Sequence, residues 1–250
     1  MEWTDSGIIL SLTRQGEHDA ILEAITPDHG RHKGFVKAGM SRRQKGMLQP
    51  GNQVKLTWRS RIEENLGSFK FELLHSPLGM AMSSPVRLSA MTAALAVYAY
   101  SLPEREPHGP LYFALKAYLD LLEAEEITLL LLAVGLAKIE IGILRDLGFG
   151  LDFSECAATG VKSDLIYVSP KSGRAVSADA GRPYHSKLLA LPEFMINPQV
   201  SCQKVKEALD GLSLTSYFLN QYVWIVRGTG QPASRERFIS QLVKAKDKAE

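Results

Sequence analysis

The chain has 250 residues, of which 45% are hydrophobic and 22% are charged, the composition of a globular protein with a sizeable core. Its formal net charge is only +2, so any attraction to a polyanion must come from a local cluster of charge. The most apolar run, residues 127–136, is too short to span a bilayer, and the opening MEWTDSG lacks the features of a secretory signal. We therefore expect a cytoplasmic protein without a membrane segment, and the two lone cysteines, Cys156 and Cys202, agree with a reducing compartment.

Residues 1–78 are predicted to form a β-domain. Short apolar or alternating runs are separated by turns such as residues 27–30, where proline presets φ and glycine permits the reversal. The expected strands are residues 8–12, 20–25, 31–37, 54–59 and 69–73. Five short strands joined in this way favour a five-stranded OB-fold barrel.

Residues 79–250 are predicted to form an all-helical domain, because apolar residues now recur every three or four positions. The expected helices are residues 85–102, 111–122, 127–147, 201–212 and 214–226, with a last one after the N-cap Ser234. The helix 127–147 is apolar all round in its first half, which predicts a central, buried position, and Gly148 would end it. Residues 150–182 interrupt the domain as an irregular insert with one strand-like run at 165–168. The chain is thus expected to be α+β.

The strongest functional signal is the stretch between Asp28 and Glu63, which holds nine Lys or Arg and no acidic residue. The nine cations are Arg31, Lys33, Lys37, Arg42, Arg43, Lys45, Lys55, Arg59 and Arg61. A segment of one sign inside a nearly neutral chain indicates a local field and a polyanionic partner. We predict that these residues bind a nucleic-acid backbone; the alternative is an ordinary solvated face.

The spacing of the first cations supports a single-stranded ligand. Arg31, Lys33 and Lys37 share one face of the third strand, with Phe35 among them. The cations would neutralise phosphates while the ring stacks on a base. The following loop, residues 38–46, adds three more cations and is flexible by composition.

On the next strand, Lys55 and Arg59 lie opposite the apolar side that contains Trp58. Trp58 is therefore expected in the core and not at the ligand.

The sequence carries no common catalytic motif, since Walker A, G-x-S-x-G and G-x-G-x-x-G are all missing. Cys156 and His185 lack the third group that would mark an activated nucleophile. We therefore expect no catalytic residue and no enzyme. Two alternatives stay open: a metal-dependent nuclease that holds a divalent ion at Glu63 and Glu64, and an RNA-binding OB-fold module.

Lys138 lies beside the apolar positions Ile139 and Ile141 of the helix 127–147. A lone cation next to an apolar surface can receive a carboxylate-terminated peptide, which makes Lys138 a candidate partner-binding residue. The other interpretation is a lysine whose stem covers apolar surface while its charge stays in water.

Several segments together resemble the bacterial DNA repair protein RecO family over nearly the whole chain. They are Asp19–Arg31, Lys37–Arg43, Leu48–Pro50, Ile139–Asp152, Cys156–Gly160 and Val168–Gly173. The resemblance implies an N-terminal OB-fold, a helical domain and a zinc-ribbon-like insert. It also implies a non-enzymatic recombination mediator that binds single- and double-stranded DNA, anneals complementary strands and helps a recombinase replace single-stranded DNA-binding protein.

The expected partners under this resemblance are RecR and the C-terminal tail of single-stranded DNA-binding protein, with the free protein a monomer that joins the nucleoid during repair. Of the basic residues, Lys37, Arg42 and Arg43 fall in the matched loop. The chain departs from the zinc-binding members of the family at the insert. Cys156 stands at one ligand position, but Thr159, Ser177 and Ala180 occupy the other three, so we expect no metal and no cofactor.

Overall fold

The computed structural model describes residues 1–197 and 199–247. The chain divides into two compact units, Met1–Glu125 and Glu126–Glu250. The boundary expected after residue 78 thus lies inside the first unit, because the helices that follow the β-domain contact it. Gln53 of the β-domain, for example, donates a hydrogen bond to the carboxylate of Asp120 at 3.4 Å.

The β-domain is a closed barrel of five strands in the order β1-β2-β3-β5-β4, which confirms the predicted OB-fold architecture. The strands are β1 Glu2–Gln15, β2 Asp19–Thr26, β3 Gly30–Val36, β4 Gln53–Arg59 and β5 Ser68–His75. Neighbouring strands are antiparallel except β3 and β5, which run parallel and share a single pair, Phe35 with Ser68. Strand β1 is longer than the predicted 8–12, because its early residues pair with the whole of β4.

Alternate residues of the strands fill the barrel. Leu56 and Trp58 of β4 are buried, whereas Lys55 and Arg59 are exposed, as the period of two predicted. The indole N–H of Trp58 donates to the carbonyl of Leu66 at 3.0 Å, so this buried ring leaves no polar atom unsatisfied.

The basic loop 38–46 is not the flexible segment that we expected. Residues Arg42–Met47 form helix α1, and Ser41 is its N-cap, with its hydroxyl accepting from the N–H of Gln44 at 3.5 Å. The prediction was wrong because Gly46 and Gly39 suggested a loop, whereas Gly46 lies inside the helix and the cap at Ser41 sets the start.

Helices α2 Leu78–Met82, α3 Pro85–Ser101 and α4 Gly109–Leu121 complete the first unit. The connection between α3 and α4 reaches back to the barrel, where Glu104 forms a bridge with Arg31 at the start of β3. The guanidinium of Arg105 donates to the carbonyls of Glu63 and Asn65, in the β4–β5 loop. This connection therefore covers the start of β3, whereas the end of β3 is left open.

The second unit is built on the long helix α5, Leu129–Asp146, which Thr128 caps. Gly148 follows the helix with φ +84°, as the sequence predicted. The insert contains a three-stranded sheet in which β6 Leu165–Val168 lies between β7 Ala175–Ser177 and β8 Leu189–Ala190. Two of these strands were missed, because runs of two or three residues are too short to show a period. Between β7 and β8 lie the short helix α6 Ala178–Gly181 and the 3₁₀ helix Arg182–Lys187, and the short helix α7 Glu193–Ile196 follows β8.

The last helices are α8 Val205–Leu219, which continues as a π-helical turn over Asn220–Trp224, and α9 Ala233–Asp247. The prediction of two separate helices at 201–212 and 214–226 was wrong, since nothing in the Leu212–Leu214 segment breaks a helix. Within residues 1–197 and 199–247, no helix is both long enough and apolar enough to cross a membrane.

Candidate nucleic-acid interface

A groove of about 680 Å³ opens on the barrel where β3 ends and β5 continues. Helix α1 supplies a further wall. The groove is lined by Val36, Lys37, Arg43, Gln44, Met47 and the β5 segment Phe69–Leu73. We call it the β5–α1 groove. Its cations are Lys37, Arg43 and Lys70, and its one acidic residue is Glu72.

The cations at the start of β3 do not contribute free charge to this surface. Arg31 lies half-buried between two carboxylates, in ion pairs with Glu23 and Glu104, and its Nε donates to the carbonyl of Leu102. Lys33 lies 2.5 Å from a carboxylate oxygen of Glu104 and 4.0 Å from one of Glu23. Folding thus brings acids from β2 and from the α3–α4 connection onto a segment that has none of its own.

Glu104 is charged at neutral pH in this arrangement. Burial on its own would raise the pKa of Glu104. The hydrogen bond and charge of Lys33, together with the charges of Arg31 and Arg105, outweigh burial and hold the pKa below its ordinary value. Lys33 and Arg31 are therefore largely neutralised in the folded protein.

The cations around the groove differ from Arg31 and Lys33 in their exposure and in their acidic neighbours. Lys37, Arg42, Arg43 and Lys45 are all exposed, and none has an acidic side chain within ion-pair distance among the residues that the structure describes. Lys37 follows β3 directly. Its position is held because the N–H of Ala38 donates to the carboxylate of Asp19 at 2.7 Å. The matched basic loop therefore presents its charge from a fixed backbone.

The outward side of β4 and β5 carries the remaining predicted cations. Lys55 pairs across the ladder with Glu72, and Arg59 lies 2.7 Å from Glu2 in an exposed ion pair. Lys33 lies near two carboxylates, whereas Glu2 is the one described acid within ion-pair distance of Arg59, and this pair is the more exposed of the two. A phosphate can therefore displace Glu2 from Arg59 more easily than Glu104 from Lys33. Arg61 is exposed in the β4–β5 loop.

Two aromatic residues, Phe69 and Phe71, line the groove, and the predicted Phe35 is not among the lining residues. Phe71 is half-buried, packs against the barrel core and lines the groove. Phe35 is half-buried on β3, outside the groove lining.

Lys70 was also missed by the sequence analysis, because it lies beyond Glu63 and hence outside the acid-free stretch. The alternation of Phe69, Lys70 and Phe71 was the signal that pointed to it.

Lys138 is exposed on α5, and no described acidic residue lies within ion-pair distance of it. Its neighbours one turn away are the partly buried Ile141 and the buried Val134, and Leu131 is exposed two turns before it. An exposed cation bordered by apolar side chains is thus present at the predicted position.

The insert does not fit zinc. Cys156 is buried, and the N–H of Ser177 donates to its sulfur at 3.3 Å. Burial would raise the pKa of the Cys156 thiol, but hydrogen bonds from Ser177 and Thr159 lower it to about 6. One thiol with two hydroxyls and an alanine does not make the set of four nitrogen or sulfur ligands that structural zinc needs. The turn is closed instead by backbone hydrogen bonds, Cys156 N–H to Val161 and Gly160 N–H to Cys156.

The nuclease alternative finds no support in the side-chain geometry. In the described part of the chain, no three His, Cys, Asp or Glu side chains are grouped so that they could hold a metal ion. Glu63 and Glu64 are both exposed in the β4–β5 loop.

Comparison with known proteins agrees with this architecture. The family model for the recombination protein O N terminal domain matches residues 1–77, and the model for its C terminal domain matches residues 82–225. The DNA repair protein RecO of Methylobacterium nodulans is 43% identical over 244 residues, which cover 96% of this chain and 97% of that protein. The DNA repair protein RecO of Rhodospirillum rubrum is 44% identical, and the match covers 97% of this chain and 96% of that protein. The DNA repair protein RecO of Mesorhizobium japonicum is also 44% identical, and the match covers 98% of this chain and 94% of that protein. The chain belongs to the DNA repair protein RecO family.

Proposed function

We propose that this protein is a DNA-binding recombination mediator that holds a DNA strand in the β5–α1 groove. Membership of the family supports a role in DNA repair and recombination. The observation that carries the finer proposal is the set of exposed cations Lys37, Arg43 and Lys70 beside the half-buried ring of Phe71. None of these cations has an ion-pair partner in the part of the chain that the structure describes. Cations along a groove with an aromatic residue suit the backbone and bases of a single strand.

The chemistry requires no catalytic group. Two complementary strands repel each other through their phosphates, and a protein that neutralises phosphates lowers this repulsion. Bases that are held away from other contacts can then pair on their own. We infer that the protein binds single- and double-stranded DNA in the cytoplasm and promotes annealing in this way, without an enzymatic step.

The first prediction concerns Lys37→Ala combined with Lys70→Ala. We expect affinity for a single-stranded oligonucleotide to fall about tenfold or more at low salt. The slope of log K against log salt should shrink by roughly 1.4, because each lost phosphate contact removes about 0.7. Fluorescence anisotropy across a salt series measures both quantities, and strand annealing should slow in parallel.

The matched control is Lys33→Ala, which removes a cation that Glu104 already neutralises at 2.5 Å. Its affinity and salt slope should stay within about twofold of the wild type. If Lys33→Ala weakened binding as much as the double variant, the groove would not be the site. Competition between single-stranded DNA and RNA for the wild-type protein tests the RNA-binding alternative, which a preference for RNA would favour.

RecR and the C-terminal tail of single-stranded DNA-binding protein are proposed as protein partners. The support for the tail is the exposed Lys138 beside Val134 and Ile141, which suits an acidic, carboxylate-terminated peptide. Docking of the tail would deliver the mediator to coated DNA, where a recombinase can then replace the coating protein.

A further inference from the structure

A separate cavity of about 400 Å³ lies beside the first residues of β1. Its walls are aromatic. Trp3 stacks on His29 with ring centroids 4.0 Å apart, and Trp58 lies parallel to Trp3 at 5.9 Å. His32 meets both indoles edge-on, at 5.2 and 5.0 Å. Because these rings already contact one another, a planar ligand in the cavity would meet their edges and any ring face that stays open.

His32 is a buried polar residue whose hydrogen-bonding capacity is unused among the described residues. The residue is only 5% exposed, and neither Nδ1 nor Nε2 has a hydrogen-bond partner among the described residues. Buried polar atoms are almost always paired, because an unpaired one loses its hydration without compensation. A ring nitrogen that faces the cavity would therefore gain from a ligand that can form a hydrogen bond with it.

The ring is neutral, which defines the complementary group. Burial, with the charges of Arg105 and His29, lowers the pKa of His32 to about 4. A neutral imidazole offers one N–H donor and one nitrogen acceptor. The two nitrogens point to opposite sides of the ring, so one ligand edge pairs with only one of them. A nucleobase edge can supply either partner, an acceptor for the N–H or a donor for the bare nitrogen.

The charged residues that line the cavity are mostly acidic, whereas basic residues lie beside it. Three carboxylates line it, those of Glu2, Asp28 and Glu63, against one guanidinium, that of Arg105. This lining disfavours a phosphate inside and favours an uncharged group with amino hydrogens. A shallower cavity shares Met1 and Glu2 with the first and adds Arg59 and Arg61.

We propose that the aromatic cavity binds an unpaired nucleobase whose own phosphate lies on Arg59 and Arg61. The proposal deepens the DNA-binding function and rests on it for the source of the base, which is a single strand. Bases with an exocyclic amine should bind better than thymine, since the carboxylates can accept from that amine. The contact is to one nucleotide and is independent of the β5–α1 groove.

The test is a titration of the full, ¹⁵N-labelled chain with dAMP, followed through the indole N–H signals of Trp3, Trp58 and Trp224. The signals of Trp3 and Trp58 should move with a millimolar Kd, and that of Trp224 should not. Thymidine monophosphate should bind about fivefold weaker, as the loss of one hydrogen bond predicts. No movement up to about 10 mM dAMP would show that the cavity holds only water and would overturn the proposal.

Two variants make the test specific. His32→Phe keeps a planar ring but removes both nitrogens, and it should weaken dAMP about tenfold. Arg59→Ala with Arg61→Ala changes only exposed residues, so the fold is retained; it should weaken dAMP several-fold but leave adenosine, which has no phosphate, unchanged. Unaltered dAMP affinity in either variant contradicts the proposal.

The groove variant separates this proposal from the proposed function. Lys37→Ala with Lys70→Ala should lose oligonucleotide affinity yet bind dAMP as the wild type does. If dAMP binding is lost with the groove cations, the nucleotide sits in the groove and the cavity proposal is wrong. Alternatively, the groove variant keeps its oligonucleotide affinity while His32→Phe no longer binds dAMP. That result would contradict the assignment of the groove and support the cavity proposal.

Discussion

At the scale of single residues, the second unit contains a buried ion pair between residues that are far apart in sequence. Arg235 and Glu140 are both fully buried, and two guanidinium nitrogens lie 2.6 and 2.8 Å from the two carboxylate oxygens. Thr215 donates to the same carboxylate at 2.5 Å, and the Arg235 guanidinium lies over the ring of Trp224. Helices α5, α8 and α9 are thus joined through one buried, fully paired network.

We predict that Arg235→Ala lowers the free energy of unfolding by roughly 3–5 kcal/mol, because it leaves the Glu140 carboxylate buried without its partner. Replacing both residues with apolar ones of similar size, Arg235→Met with Glu140→Leu, should recover much of that loss. Urea unfolding followed by circular dichroism measures the change. As a control, Lys206→Ala removes one member of an exposed i,i+4 pair with Asp210 and should cost no more than about 0.5 kcal/mol. A full-sized loss in the double apolar variant would speak against the unpaired-charge explanation.

At the scale of elements, the short helix α1 holds basic side chains beside the β5–α1 groove. Its six residues contain Arg42, Arg43 and Lys45. The cap at Ser41 anchors its start, and the side chains of Gln49 and Asn52 donate to carbonyls at its end. Gly46 weakens it, because glycine gains backbone freedom on unfolding.

We predict that Gly46→Ala stabilises the protein by roughly 0.5–1 kcal/mol. Gly46 has ordinary helical dihedrals, and a Cβ there would meet nothing within 4 Å. Thermal unfolding measures the gain, and oligonucleotide affinity should be kept.

The matched control is Gly30→Ala, which should destabilise strongly. Gly30 has φ +64°, and a Cβ would lie 1.9 Å from the carbonyl oxygen of Glu106. Equal effects of the two substitutions would mean that neither backbone conformation nor the Glu106 contact decides the outcome.

At the scale of the whole molecule, the proposed activities fall on different compact units. The groove and the aromatic cavity belong to the unit Met1–Glu125, and Lys138 belongs to Glu126–Glu250. A mediator needs both a DNA contact and a contact with the protein that coats the DNA, so the division suits the proposed role.

We predict that Lys138→Glu weakens binding of the acidic tail peptide of single-stranded DNA-binding protein about tenfold or more, since like charges now face each other. Isothermal titration with the full chain measures the affinity. Lys206→Glu, an equal change of charge on α8, is the control and should bind the peptide like the wild type. If the peptide binds Lys138→Glu unchanged, Lys138 is not a contact. If it does not bind the wild type, the proposed interaction is absent.

Much of the architecture followed from local pattern. The alternation of Val54, Leu56 and Trp58 and the helical repeat of residues 85–102 each depend only on which side of an element faces the core. The matched segments were enough to indicate the family. The errors fell where local signals conflict, as at Gly46 in α1, or where elements are too short to show a period, as in β7.

The sequence by itself determined the barrel, the helices, the family and the presence of a cationic segment, because each of these depends on neighbours along the chain. Only the tertiary structure decided which cations are free. Electrostatic energy depends on distance in space, and folding brings Glu23 and Glu104 onto Arg31 and Lys33 while it leaves Lys37, Arg43 and Lys70 around an open groove. For the same reason, no sequence pattern indicated the position of His32 among Trp3, Trp58 and Phe69, which come from three other strands, or that its ring nitrogens lack partners among the described residues.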